Sequence, residues 1–214
     1  VLEVEQKPRL EVQHTLEKAC TIQYKSAEPL VKIWIEYLSY LIRNTNYEDE
    51  KQKEILRSNF DLAWNTLGWT FGSLADCDCE ILKLWGIIEY SKLNDQNQGK
   101  ELWDTVMKSN ENYKKAALWI EFAQLEKLHR GIEASRAILK RAIKVQDLDD
   151  LQGIASFWIR FERFQGSLQQ LLISQEACEK ALFYYRKRVV KEKRKSDGQE
   201  LPKGNKRKAE DDPY

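Results

Sequence analysis

Residues 118–142 (LWIEFAQLEKLHRGIEASRAILKRA) constrain the fold more than any other stretch, because they form a pattern of two short helices separated by one break. Trp119, Phe122 and Glu126 lie at spacings of three and seven residues, which places them on one helical face. Gly131 ends this first helix, since glycine is free to adopt the left-handed conformation that terminates many helices.

The second helix of this stretch also has one patterned face. Arg136, Leu139 and Ala142 recur at intervals of three residues, and the small Ala142 side chain permits a neighbouring backbone to approach closely. A short antiparallel helix pair cannot bury its apolar face alone, so it needs further pairs packed against it. The stretch therefore predicts an array of similar pairs.

The same two patterns recur along the chain. Tryptophans with an apolar residue three positions later mark four first helices: Trp34 with Tyr37, Trp85 with Ile88, Trp119 with Phe122, and Trp158 with Phe161. Four further segments resemble the second helix: Gln13, Leu16 and Ala19; Arg57, Phe60 and Ala63; Lys100, Trp103 and Val106; and Gln175, Cys178 and Ala181. These four tryptophans are separated from one another by 51, 34 and 39 residues. Such unequal spacing is typical of a degenerate helical repeat with variable loops.

The combined pattern, Trp-x-x-aromatic-x-x-x-Glu, then Gly, then Arg-x-x-Leu-x-x-Ala, resembles the HAT (half-a-TPR) repeat of RNA-processing proteins. The resemblance covers residues 9–185 and implies an all-α, right-handed superhelical solenoid of one half repeat and about four antiparallel helix pairs. It also implies an ion pair between Glu126 and Arg136. The position of this glutamate is occupied by Leu41, Lys92 and Gln165 in the other first helices.

Two segments narrow the resemblance within this family. Residues 101–107 (ELWDTVM) and 161–170 (FERFQGSLQQ) resemble the C-terminal HAT half of a splicing factor. This likeness implies a nuclear, non-catalytic scaffold that promotes reassembly of U4/U6 small nuclear RNPs and forms a homodimer through its C-terminal repeats. It also implies binding to a deubiquitinating enzyme or to snRNP proteins, with RNA bound mainly by domains outside this chain. HAT scaffolds of pre-mRNA 3′-end cleavage or ribosomal RNA processing are the alternatives.

The end of the predicted array is more apolar than a terminal repeat requires to cover its own core. These side chains either belong to the core beneath a long closing helix or form a partner surface. The candidate residues for self-association are Phe164, Leu168, Leu171, Leu172, Phe183 and Tyr184.

The ends of the chain differ from the array in composition. Residues 1–8 are polar and predict a disordered lead-in. Residues 186–214 contain 11 Lys/Arg and six Asp/Glu, which predicts a disordered basic tail and leaves an acidic body. Two basic clusters in the tail resemble a bipartite nuclear import signal for importin: Lys193, Arg194 and Lys195, and then Lys206, Arg207 and Lys208. The alternatives are a solubilising tail and a direct RNA-binding arm.

No sequence pattern in the chain predicts catalysis, a cofactor or a metal. Cys77 and Cys79 are too close for a structural zinc pair, and His14 and His129 lie far apart in the sequence. Glycine-rich phosphate loops and nucleophile motifs are absent, as is any run of apolar residues long enough to cross a membrane. We therefore expect no catalytic residues, no cofactor, no metal and no membrane contact.

Overall fold

A computed structural model of the chain describes residues 9–72 and 75–196. Within these ranges the protein contains helices and no strands, which confirms the all-α class. The described residues form nine α-helices: α1 (Arg9–Cys20), α2 (Ala27–Asn44), α3 (Glu50–Phe71), α4 (Glu80–Ile88), α5 (Gln96–Lys108), α6 (Ala116–Arg130), α7 (Ile132–Ala142), α8 (Leu151–Gln165) and α9 (Leu168–Ser196). A π-helical turn (Glu89–Leu93) follows α4, and a 3-10 turn (Asn112–Lys114) precedes α6.

The helices pack in chain order. Helix α1 packs against α2, and four successive pairs follow: α2/α3, α4/α5, α6/α7 and α8/α9. The first helix of a pair also contacts the first helix of the next, as α2 does with α4 and α6 with α8. Such packing between near neighbours is the arrangement of an α-solenoid, in which each pair buries the apolar face of the one before it.

The patterned residues form the core. Trp34, Trp119 and Trp158 of the first helices are buried, and so are Phe60, Trp103 and Leu139 of the second helices. Ala63 and Ala142 are also fully buried, where a small side chain lets adjacent helices approach. The aromatic stripes of these helices therefore pack in the core.

The turn between α6 and α7 forms where the sequence predicts it. Gly131 separates the two helices and has a φ of +93°, a value that L residues rarely adopt. The positive φ agrees with the prediction, although the ψ of −179° is not the left-handed helical value. Gly131 thus allows α7 to begin directly at Ile132, which keeps this connection to a single residue.

The predicted start of the disordered tail is wrong for its first eleven residues. Helix α9 continues through residues 186–196, which contain Lys, Arg, Glu and Val but no glycine or proline to stop a helix. An ion pair between Arg188 and Asp147, 3.1 Å apart, also attaches this part of α9 to the loop after α7. The predicted lead-in (1–8) and the rest of the tail (197–214) lie outside the described residues.

Candidate protein-interaction surface

Successive helix pairs are joined by a buried ion pair that also binds a tryptophan. Arg136 of α7 donates from Nε and Nη2 to the two carboxylate oxygens of Glu162 in α8, at 2.6 and 2.8 Å. The indole Nε1 of Trp158 donates to the same carboxylate at 3.0 Å. Glu133, one turn before Arg136, accepts from the remaining guanidinium nitrogen. This bidentate geometry fixes α8 against α7.

A second copy of this arrangement lies two helix pairs earlier. Arg57 of α3 donates to both carboxylate oxygens of Glu89, each at 2.9 Å. Trp85 Nε1 donates to Glu89 at 2.9 Å, and Glu54 binds the third guanidinium nitrogen at 2.7 Å. The bonds to glutamate hold the pKa values of both Arg57 and Arg136 above their usual value. Both arginines are therefore held in the charged, donating form.

The ion pair expected from the HAT resemblance, between Glu126 and Arg136, does not form. Glu126 instead accepts from the Tyr90 hydroxyl, which comes from the preceding pair, and from Arg130 on its own helix. Burial and this carboxylate both raise the pKa of Tyr90. Because the partner of Arg136 is Glu162, the arginine joins two consecutive pairs and does not close one pair internally.

The glutamates that do bind the arginines have a sequence signal that differs from the predicted one. Glu89 and Glu162 each follow their tryptophan by four residues, one helical turn, so the indole and the carboxylate lie side by side. The corresponding residues in the other two first helices are Leu38 and Ala123. The two ion pairs therefore make two of the junctions between pairs more rigid, and the array can present its surface side chains in fixed positions.

The candidate self-association residues divide between core and surface. Phe164, Leu168, Leu172, Phe183 and Tyr184 are 53–75% exposed, whereas Leu171 is half-buried. Val190, farther along α9, is 48% exposed. We call Phe164, Leu168, Leu172, Phe183, Tyr184 and Val190 the C-terminal apolar surface. Since five of the six predicted residues are exposed, most of this set does not serve as core in the single chain.

Helix α9 has two different faces. Its inner face packs on α8 through Cys178 and Ser174, which are buried. On its outer face, Leu168, Leu172 and Phe183 follow one another at spacings of four and eleven residues, which are close to whole helical turns. The outer face thus remains apolar although no helix of the described residues covers it, and such a face is characteristic of a protein-binding surface.

Charged residues on the outer face are separated by sign. Glu176 and Glu179 lie between Leu172 and Phe183, and Arg186 and Lys187 follow Phe183; all four are exposed. The ammonium of Lys187 lies 4.4 Å from the centre of the Phe183 ring. The outer face therefore carries an acidic half and a basic half on either side of Phe183.

The predicted import signal is only partly described. Lys193 and Arg194 are exposed near the end of α9, so the first basic cluster is helical in this structure. Lys195 belongs to the same helix, and Lys206, Arg207 and Lys208 lie outside the described residues. The import signal stays a prediction.

Other kinds of site find no support in the described part of the chain. Its His, Cys, Asp and Glu side chains do not gather in groups of three or more that could hold a metal ion. Cys20, Cys79 and Cys178 are buried, and burial raises the pKa of the Cys178 thiol to about 11. None of the described helices is both long and apolar enough to span a bilayer.

Comparison with known proteins relates the chain to RNA-processing factors. No protein-family model matches it. It is 34% identical over 145 residues, or 68% of its length, to RNA-binding protein 4F of Drosophila melanogaster. It is 31% identical over 174 residues, or 78% of its length, to the human protein named spliceosome associated factor 3, U4/U6 recycling protein. The mouse protein of that name is 30% identical over 161 residues.

The matched region is a small part of each relative. It covers 15% of the fly protein, 18% of the human protein and 16% of the mouse protein. The similarity therefore concerns one segment of much longer chains. It supports a relationship between this chain and one segment of proteins that include the U4/U6 recycling factor.

Proposed function

We propose that this chain is a non-catalytic scaffold of a nuclear splicing factor, which self-associates and binds other proteins during reassembly of U4/U6 small nuclear RNPs. The observation that carries the scaffold function is the exposed apolar outer face of α9. The splicing role is supported by the relatives, one of which is named a U4/U6 recycling protein. Deubiquitinating enzymes or snRNP proteins are the proposed further partners, importin binds the basic tail, and RNA is bound mainly outside this chain.

The outer face of α9 is suited to pairing with a second copy of itself. In an antiparallel pair related by a twofold axis near Phe183, Glu179 of one helix lies opposite Lys187 of the other. The same register places Leu172 opposite Arg194 and Glu176 opposite Val190, so that Leu172 lies one helical turn from Val190 across the pair, and Glu176 lies one turn from Arg186. Phe183 thus meets its own copy at the centre, and Glu179 meets Lys187 on both sides of it.

This homodimer predicts a specific effect of surface substitutions. The double variant Leu172→Asp/Phe183→Asp should weaken self-association at least about tenfold, because it buries a carboxylate at the centre of the interface and removes an apolar contact farther along it. The measurement is the solution mass by light scattering over a concentration series. A matched control, Ile55→Asp/Leu128→Asp, replaces two exposed apolar residues outside α9 and should leave the mass unchanged.

Charge exchange tests the antiparallel register. Glu179→Lys alone should weaken the dimer, since it places like charges opposite each other. Adding Lys187→Glu in the same chain should restore it, because the pairing is then only reversed. A wild-type chain that is monomeric at every concentration contradicts the homodimer. A dimer that survives the Leu172/Phe183 change forms through another surface.

Direct RNA binding through the tail is the alternative function, and deletion of the tail tests it. Deleting residues 186–214 removes 11 basic residues. RNA affinity that is lost with this segment and falls steeply with salt would favour the RNA-binding alternative. A full chain without measurable RNA affinity would favour the scaffold.

A further inference from the structure

A cleft beside the outer face of α9 lies where the loop after α7 meets α8 and α9, and Tyr184 belongs both to this cleft and to the C-terminal apolar surface. Its volume is about 580 Å³, and its floor is formed mainly by aliphatic side chains, including Ile143, Val145, Leu151 and Ala181. Ile143 and Leu151 belong to the core, so the floor is held by the packing of three helices. A preformed apolar cleft of this size can accept one or two large side chains of a ligand.

Basic residues surround this apolar floor. Lys144, Lys180 and Arg188 line the cleft, and no acidic residue is among its lining residues. Within the described residues, neither Lys144 nor Lys180 forms an ion pair, and both are exposed. Arg188 is bound to Asp147 and lies over the ring of Tyr185, so it closes one end of the cleft. The two lysines therefore leave positive charge available at the mouth.

We propose that this cleft binds a short acidic peptide segment of a partner protein, with an apolar side chain placed between carboxylates. The apolar side chain enters the aliphatic floor, and the carboxylates bind Lys144 and Lys180. Residues 1–185 are acidic overall, so a local group of unpaired lysines around an apolar floor selects a ligand of opposite charge.

The lining favours peptide over RNA. Base stacking requires exposed, flat aromatic faces interleaved with basic residues. The aliphatic residues of this cleft outnumber its two tyrosines, Tyr184 and Tyr185, and the Arg188 guanidinium lies over the Tyr185 ring, 5.7 Å from its centre. Tyr184 is 59% exposed, but no second aromatic face lies parallel to it in the lining. An aliphatic or phenyl side chain of a peptide fills such a floor better than a nucleobase does.

The first experiment measures binding of fluorescein-labelled octapeptides to the full chain by fluorescence anisotropy. The acidic apolar peptide DEDLFEDD should bind at least about tenfold more tightly than its basic counterpart KRKLFKRK and than DEDSSEDD, which lacks the apolar pair. The first comparison tests the charge of the cleft and the second tests its floor. Failure of DEDLFEDD to bind at about 1 mM, or equal binding of DEDSSEDD, overturns the proposal.

Variants of the chain place the binding in this cleft. Lys144→Glu/Lys180→Glu should weaken binding of DEDLFEDD at least about tenfold, because it reverses the charge at the mouth. The matched control Lys51→Glu/Lys108→Glu makes the same net charge change at exposed lysines elsewhere and should alter affinity less than about twofold. Ala181→Trp, which fills the floor, should abolish binding while circular dichroism shows an unchanged helix content.

Three results assign the cleft differently. If the Lys144/Lys180 variant and its control lose affinity for DEDLFEDD equally, the effect depends only on net charge and the proposal is overturned. A labelled oligouridine that binds the full chain and is displaced by the same cleft variants makes the occupant RNA. A solution mass that falls in the Lys144/Lys180 variant makes the occupant a second copy of the chain. Either of the last two results overturns the assignment to a partner peptide.

Discussion

Replacing Glu162 by alanine should lower the free energy of unfolding by about 3–5 kcal/mol, which is a large fraction of the stability of an ordinary domain. The Glu162 carboxylate is fully buried, and the side chain of its partner Arg136 is only 4% exposed. Removal of Glu162 leaves a buried guanidinium without its main counter-charge, and it also removes the acceptor of the Trp158 indole. Both groups lose hydrogen bonds that water does not easily replace.

Denaturant unfolding followed by tryptophan fluorescence measures this effect. The control Glu133→Ala removes the other carboxylate bound to Arg136, but Glu133 is 87% exposed and its loss should cost less than about 1 kcal/mol. Arg136→Met in the Glu162→Ala background should recover part of the loss, because it removes the unpaired charge and fills a similar volume. A Glu162→Ala variant as stable as wild type would contradict the buried linkage.

The second copy of the linkage should be less sensitive. Glu89 is also fully buried, but the Arg57 side chain is 24% exposed and can gain water when its partner is lost. Glu89→Ala should therefore destabilise the protein by less than Glu162→Ala does, although the bonds are the same in kind. Direct comparison of the two variants separates the contribution of burial from that of the ion-pair geometry.

Helix positions could be predicted from the sequence because they depend on a local period. Trp34, Trp119 and Trp158 each lie in a first helix, and the Arg-x-x-Leu-x-x-Ala pattern lies in α7, as predicted. A tryptophan with an apolar residue three positions later marks a buried face whichever neighbour covers it. The fold class follows, since short helix pairs with one apolar face must stack.

The contacts between pairs could not be predicted in the same way. Positions four and seven residues after a tryptophan both lie near its face, so the period alone does not show which of Glu162 and Gln165 meets an arginine. The choice depends on how far one pair is rotated relative to the next, which is set by packing across the junction. In the structure the arginine reaches forward to the following pair, and the glutamate one turn after that pair's tryptophan receives it.

The side of α9 that faces outward could not be predicted from the sequence either. Leu171 and Leu172 are adjacent and equally apolar in sequence, yet one is half-buried and the other exposed. A helix with apolar residues on both sides gives no local indication of which side meets α8. Only the position of Cys178 and Ser174 against the preceding helix shows that Leu172 and Phe183 face outward.

Two glycine substitutions should change stability in opposite directions, although each adds only one methyl group. Gly68 lies in α3, and among the described residues no heavy atom outside its own stretch of helix lies within 4 Å of an added Cβ. Gly68→Ala should raise the free energy of unfolding by about 0.5–1 kcal/mol, because alanine restricts the unfolded chain and favours the helix. Gly86 lies in α4, where an added Cβ would meet Trp103 Cδ1 at 2.7 Å and Nε1 at 2.9 Å.

Gly86→Ala gains the same helix propensity, yet it should lower the free energy of unfolding by about 1–3 kcal/mol. The Trp103 ring is fully buried and stacks on Phe122, with ring centres 5.6 Å apart, so it cannot move aside without disturbing the core between α5 and α6. Thermal or denaturant unfolding of both variants, measured under the same conditions, tests whether their stabilities change in opposite directions. A Gly86→Ala variant that is stabilised like Gly68→Ala would show that Trp103 has room to shift, and would contradict the close approach of α4 and α5.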